Sequence, residues 1–380
     1  MYRLRLLGSG PLAAAAAVAV VVVVLAGWLL LRPNTTPQAV ASPSPTATAE
    51  LTPSPSPTPT PSPSPSAELA VACPLNGLPV ADPSLLTRTA LSVQIENHPL
   101  ARPARNLSNA DMVFEATVEG DVTRFTAIYL CRPTIGLTGP VRSARYYNID
   151  LWQDLGVLPV GFGASNGALQ RFAAAGMPYV NGITGAWPWF KRSGTNPAPH
   201  NLYGDVEAIR SALGSGGAID RLAAKVRQLR PPFTFDPNVT LPAGRSVAAL
   251  EIRTTSYWRF GWSWNASTGL WTRQDAGKTV VDAVTGKPLT VAHVLVQRVT
   301  EEVVYGDPDP AGNPRRLQHL VGKGNGTLYS GGRAIALRWS RPTASAGTTW
   351  TYADTGEQVV LLPGVIWWEI VPTGAGVTES

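Results

Sequence analysis

A run of 21 uncharged residues, Pro11 to Leu31, rich in Ala, Val and Leu, leads into a Ser/Thr/Pro tract that reaches to about Ala67. No other feature limits so strongly what this chain can become. An α-helix rises ~1.5 Å per residue, so about 20 apolar residues cross the ~30 Å hydrocarbon core of a bilayer. The tract of repeated Ser-Pro and Thr-Pro cannot bury enough apolar surface to fold. Proline holds it in extended polyproline II at ~3.1 Å per residue, so about 35 residues reach on the order of 100 Å. The chain then reads as a cytoplasmic tip (1–10), a transmembrane anchor (11–31), a disordered stalk (32–70) and some 300 residues of globular composition beyond it.

Arg3 and Arg5 precede the apolar run and Arg32 follows it. Basic residues favour the cytoplasmic side, which puts the globular part outside the membrane. The rival reading is a cleaved signal peptide, whose apolar stretch is about 7–15 residues long with a small-residue cleavage site close behind. Ala39-Val40-Ala41 has suitable residues but lies beyond Arg32 and Pro33, which favours an uncleaved anchor. Both readings export the globular part, and a bacterial cell membrane is the expected location.

The formal charge of +6 is spread rather than concentrated: Lys and Arg number 15 against 12 Asp and Glu over 74–240, and 13 against 11 over 241–380. Without a basic stripe, nucleic acid is a poor partner despite the high isoelectric point. Cys73 and Cys131 could pair in an oxidising compartment or stand as two thiols; both readings stay open. The four histidines are scattered and no Cys/His pair has zinc spacing, so neither a metal nor a cofactor is expected.

Residues 74–235 predict a mixed α/β domain. Leu91–Glu96 alternates as a half-buried strand, and Asn97-His98-Pro99 ends it. Ser108 with Asp111 three residues on resembles a capping box. Two β-rich runs, 114–118 and 122–130, meet through Glu119-Gly120-Asp121 as a hairpin. Helices are expected near 148–155, 166–175, 206–211 and 218–229. Residues 245–372 predict a mostly antiparallel β domain, in which Trp258, Phe260, Trp262 and Trp264 share one strand face. That face reads as buried core in preference to a sugar-stacking platform.

Polar residues in the first domain cluster beside turns: His98, Arg102, Glu115, Glu119, Arg124, Arg142, Ser143, Arg145, His200, Asn201 and Tyr203. Glu115 and Glu119, four apart, would share one face of a helix or strand, where paired carboxylates serve acid/base work or bind arginines. Arg142 and Arg145 flank Ser143 and would clamp an anion, or else form an internal network. Gly161 to Ser165 lead from a strand into a helix, so their amides could hold an anion. No nucleophile elbow, Walker loop or dinucleotide glycine pattern is present.

Several phrases together resemble the YerB-like family of bacterial envelope lipoproteins, a domain of unknown function. They are Ile95-Glu96-Asn97-His98-Pro99, Ala110-Asp111-Met112-Val113-Phe114-Glu115, Thr123-Arg124-Phe125, Gly139-Pro140-Val141-Arg142-Ser143-Ala144-Arg145 and Pro199-His200-Asn201-Leu202-Tyr203. The resemblance runs over most of 74–205 and extends to a smaller carboxyl-terminal domain. It implies architecture and envelope location but no reaction; here a helix and stalk stand where the family carries a lipid. Three functional readings follow. The first is a binding or scaffold module recognising an anionic or glycan-like ligand. The second is a hydrolase or transferase acting on an envelope polymer through Glu115/Glu119 and His98/His200. The third is a purely structural polar network with protein partners.

Overall fold

Leu91–Glu96 forms the expected strand, yet all six residues are buried instead of every second one. It lies between Thr123–Tyr129, antiparallel, and Leu158–Gly161, parallel, well inside a mixed sheet, so both of its faces are covered. Leu91, Val93 and Ile95 enter one core. On the other side Ser92 accepts a hydrogen bond from Trp152 Nε1 at 2.9 Å, and Gln94 pairs with Thr126.

The structure, a computed structural model, describes residues 71–380 apart from 186 and 256. The expected anchor and stalk lie outside the described residues. Among those described, no helix is long and apolar enough to cross a membrane.

Among the described residues the main sheet has eleven strands, ten in one order and Arg245–Ser246 paired beside Arg333–Arg341, and is built from both halves of the chain. From one edge it runs Thr349–Tyr352, Arg333–Arg341, Gly322–Ser330, His293–Val299 and Ile366–Pro372. It continues through Met112–Thr117, Thr123–Tyr129, Leu91–Glu96, Leu158–Gly161 and Val180–Asn181. Ile366–Pro372 joins the halves, lying parallel to Met112–Thr117 on one side and to His293–Val299 on the other. Its run Ile-Trp-Trp-Glu-Ile-Val is buried on both faces, as a parallel central strand requires. The expected mostly antiparallel pairing of the second segment holds for most of its strands; the parallel ones are this central pairing and Val360–Leu361, which lies parallel to Thr234–Phe235. A second sheet of six strands, all antiparallel, is built on Ala249–Arg253, Arg259–Asn265 and Leu270–Asp275.

Each face of the main sheet is covered differently. One is packed by the helices Asn148–Leu155 and Asn166–Ala174, through Trp152, Leu155, Ala168 and Phe172. The other meets the second sheet through Phe260, Trp262 and Trp271, and the helices Val206–Ala212 and Ala218–Ala223 through Val206, Ile209 and Ile219. Of the four aromatics expected on this face, Phe260 and Trp262 are core, with Trp262 only 1% exposed, and Trp258 and Trp264 are half-buried against it.

Two local expectations are corrected. Asp111 does not cap a turn at Ser108: its carboxylate accepts from Leu130 N and Cys131 N at 2.7 and 2.8 Å, while Ser108 N donates to Asp282. The helix expected over 218–229 stops at Ala223. Lys225 N and Val226 N bond to the carbonyls three residues back, Leu222 O and Ala223 O, and beyond this tightened turn Arg230 N donates to Leu155 O.

Candidate functional site

Three segments meet where Leu91–Glu96 ends. Glu96 N donates to Pro140 O, Arg142 N to Gln94 O, and Val141 N to Leu202 O. These backbone bonds lay the 139–145 loop between the end of the strand and the segment His200–Gly204. Glu96, His98, Arg142 and His200 thereby come side by side, although they span more than a hundred residues of chain. His200 Nδ1 and Arg142 Nε stand 3.0 and 3.1 Å from Glu96 Oε1. The His98 ring stacks on His200 at 4.5 Å. His98 Nδ1 accepts from Leu100 N at 3.2 Å, so the ring proton is on Nε2. Burial first, then His200 alongside, hold His98 below the usual histidine range against the opposing pull of Glu96.

Exposure is graded across this group: the Glu96 side chain is 3% exposed, His200 14% and Arg142 28%. Glu96 Oε2 is buried without a hydrogen-bond partner among the described residues. Other buried polar atoms, Glu369 Oε2 among them, are also without a partner, but Glu96 Oε2 adjoins a part-exposed guanidinium.

Beneath the group lies a closed network. The antiparallel register sets Arg124 opposite Glu96, and Arg124, 4% exposed, donates to Ser143 O. Burial and neighbouring Arg145 bring the Arg124 guanidinium down to about 9, with Glu119 opposing, so it is charged at neutral pH. Arg145 forks onto both oxygens of Glu119, and Arg315, from the second half of the chain, reaches the same carboxylate at 2.6 Å. Burial acts to raise Glu119, but Arg145, Arg124 and Arg315 outweigh it and hold the carboxyl at about 2.

This arrangement decides between the alternatives that the sequence left open, in favour of an internal network around Arg145, Glu119 and Glu115. Arg142 and Arg145 do not form a joint clamp, because Arg145 turns inward to Glu119 and only Arg142 faces the cluster. Glu119 lies past the strand end, in a turn with Gly120 and Asp121 at positive φ, and so is not paired with Glu115. Glu115 belongs to another network: Thr123, Asn97 and Trp367 donate to it, and Arg273 Nη2 lies at 2.8 Å. Its carboxyl partner is Glu369, directly opposite in the parallel register and 3.5 Å from Arg273. Both proposed acid/base carboxylates are thus enclosed, at 1% and 9% exposure. The histidines that were to assist them stand with Glu96 instead.

The amides of 161–165 hold no free anion cradle. Gly163 N donates to Asn181, and at the start of the following helix Gly167 N and Tyr146 OH donate to Asp307. The chain supplies its own carboxylate to that helix terminus. Ser143 Oγ donates to Phe162 O. Arg102 pairs with Asp275 and lies over Trp258 at 4.8 Å. Asn201 accepts from Arg192, and buried Tyr203 lies under Arg105 at 4.6 Å. None of these four enters the Glu96 cluster. Cys73 and Cys131 form a disulfide, with Cα atoms 5.9 Å apart.

Sequence reasoning missed Glu96, Arg273, Arg315 and Glu369 as network members. Two carried a readable signal: Glu369 interrupts an apolar run, and Arg273 shares the inward parity of Trp271. Glu96 shared the parity of Ser92 and Gln94 and so looked solvated.

Two family descriptions match the chain: "Protein of unknown function (DUF3048) N-terminal domain" over residues 75–218, and its C-terminal domain over residues 249–368. A relative named "Putative lipoprotein YerB", from Bacillus subtilis (strain 168), is 28% identical over 301 residues, covering 79% of this chain and 86% of the relative. The crystal structure of YerB protein from Bacillus subtilis superposes with a TM-score of 0.67 at 27% identity, covering 81% of this chain and 99% of that one.

Proposed function

We propose, from the premise that this chain belongs to the DUF3048 family by both its N- and C-terminal domains, that it is an extracytoplasmic binding module of the cell envelope. In this reading its anchor is the 11–31 helix, and the Glu96–His98–Arg142–His200 cluster takes an anionic, glycan-like ligand. The observation that carries it is the unsatisfied Glu96 Oε2 beside part-exposed Arg142. A ligand offering a hydroxyl to Glu96 and an anionic group to Arg142 would satisfy both, and an acidic sugar has that pairing. The enclosure of Glu115 and Glu119 speaks against their use in hydrolysis. The His200–Glu96 pair keeps an acid/base reading open, because a carboxylate orients the ring as a catalytic base requires.

The test is a thermal-shift comparison of the full-length protein with uronic-acid oligosaccharides and muropeptides against their neutral counterparts, repeated on Arg142→Ala. At 100-fold excess over Kd a ligand stabilises by about 2.7 kcal/mol. The expected result is a shift with the anionic glycans alone, absent in the variant, whose unliganded midpoint stays within about 2 °C of the parent. A shift that survives in Arg142→Ala, or is equal for neutral sugars, sinks the reading. Ligand cleavage that requires His200 would instead establish the acid/base alternative.

A further inference from the structure

The outer half of the main sheet carries a second site of a different make. The antiparallel register aligns Asn325, Arg338 and Thr351 in one row across three strands, and Lys323, Ser340 and Thr349 in the next. Arg298 follows Gln297, whose partner is Gly326, and so stands beside Asn325. Lys323, Asn325, Arg338, Ser340 and Thr349 are all exposed. Two adjoining clefts, of about 400 and 510 Å³, run over these rows and share Lys323, Gly324, Asn325 and Trp339. Arg298 and His319 extend the second.

No carboxylate lines either cleft. Arg298 gives Nη1 to the carbonyls of Pro372 and Ala375, so it keeps its charge uncompensated. His319 alone has an acidic neighbour, Glu302 at 3.3 Å, which is not part of the lining. Neighbouring strands lie about 4.8 Å apart and alternate residues about 7 Å apart, so the cations repeat at roughly 7–10 Å. Between them stand hydroxyls and one amide.

The aromatic rings of this region offer little surface, although Trp339 borders both clefts. On the buried side of Gly322–Ser330 a Cβ at Gly324 would lie 2.7 Å from Trp339 Nε1, and one at Gly326 2.6 Å from the Trp350 ring. The glycines let both indoles pack flat under the strand, and Trp339 is 4% exposed. A groove for single-stranded nucleic acid needs exposed rings on which bases stack. This one offers cations spaced among sugar-compatible hydroxyls.

We propose that the trough over Arg298, Lys323 and Arg338 binds a linear anionic polysaccharide, its charged groups held by the three cations and its hydroxyls by Asn325, Ser340, Thr349 and Thr351. It is separate from the Glu96 cluster and does not depend on it.

The test measures binding of the full-length protein to dextran sulfate, neutral dextran and oligothymidylate at fixed salt. The variant K323Q/R338Q is compared with K278Q/K287Q, which removes the same charge from two exposed lysines outside the clefts. The expected result is dextran sulfate binding weakened about tenfold or more in K323Q/R338Q and less than about twofold in the control, with neutral dextran unbound. Equal losses in the two variants would mean that net charge alone attracts the polymer, and would overturn the site. Oligothymidylate bound as tightly as dextran sulfate would overturn the ligand class, and no loss in K323Q/R338Q would overturn both.

Discussion

Glu115 and Glu369 face each other across paired strands and share Arg273. Burial, and then the charge of Glu115, push Glu369 well above the usual carboxyl range, with Arg273 opposing. One buried guanidinium serves two buried carboxyls, and burial disfavours a charge on Glu369. Glu369→Gln is therefore expected to change stability by less than about 1 kcal/mol, since an amide replaces a group whose charged form burial disfavours. Glu115→Gln leaves Arg273 buried without a counter-charge and should cost about 3–5 kcal/mol. Urea midpoints at pH 7 check both, and equal costs would refute the assignment. His293 gives the pH dependence. Its Nε2 lies 2.8 Å from Leu362 O, and burial lowers it to about 4, below the 6.5 of an exposed ring. Between those values the unfolded chain binds the extra proton, so stability present above pH 6.5 is lost as the pH falls towards 4, by at most about 3 kcal/mol. The buried Asp111, Asp150 and Asp154, all raised, act in the opposite sense. The difference between the parent and His293→Gln over pH 7 to 4.5 isolates the histidine. At this scale the sequence marks which residues are polar but not who compensates them: Glu369 and Arg273 are 96 residues apart, and neither signals the other.

The elements were more legible where their causes are local. Asn148–Leu155 and Asn166–Ala174 follow from apolar periodicity, and Ser165 caps the second by accepting from Ala168 N. The dipole of that second helix is met by Asp307, which reaches from far along the chain to Tyr146 OH and Gly167 N. Burial would raise Asp307, but hydrogen bonds from Ser165, Tyr146 and Gly167 and the charge of Arg315 hold it lower. Asp307→Ala removes the anion from the helix start and is expected to cost about 1–2 kcal/mol, read as a fall in urea midpoint. In the same variant Gly167 N is freed, and faster amide exchange at the first turn would mark the loss directly. The sequence presented 161–165 as an anion cradle for an outside ligand. The cradle is met from within, because a loop joining two strands of the other half passes over it. The helix ending at Ala223 is shorter than its apolar periodicity, because Lys225 N and Val226 N turn to the carbonyls three residues back, a tightening that the periodicity does not show.

Across the whole molecule, the disulfide Cys73–Cys131 ties the entry of the globular part to the end of the Thr123–Tyr129 strand, closing a separation of 58 residues. In the chain-entropy account such a loop contributes about 4 kcal/mol, so Cys73→Ser with Cys131→Ser should lower stability by that order while leaving the circular-dichroism spectrum native. A loss below about 1 kcal/mol would show that packing alone holds the segment. The order of parts, the mixed α/β character of 74–235, the β-rich character of the rest and the family resemblance were all present in the sequence, because hydrophobic period, proline content and short motifs are local properties of a chain. The insertion of Ile366–Pro372 beside Met112–Thr117 was not, nor were the joining of Glu96, Arg142 and His200 or the rows of cations across Gly322–Ser330 and Arg333–Arg341. Those depend on strand order and register: the first two join segments tens to hundreds of residues apart, and the rows follow from the register of a hairpin and its neighbours, so only the folded sheet decides them.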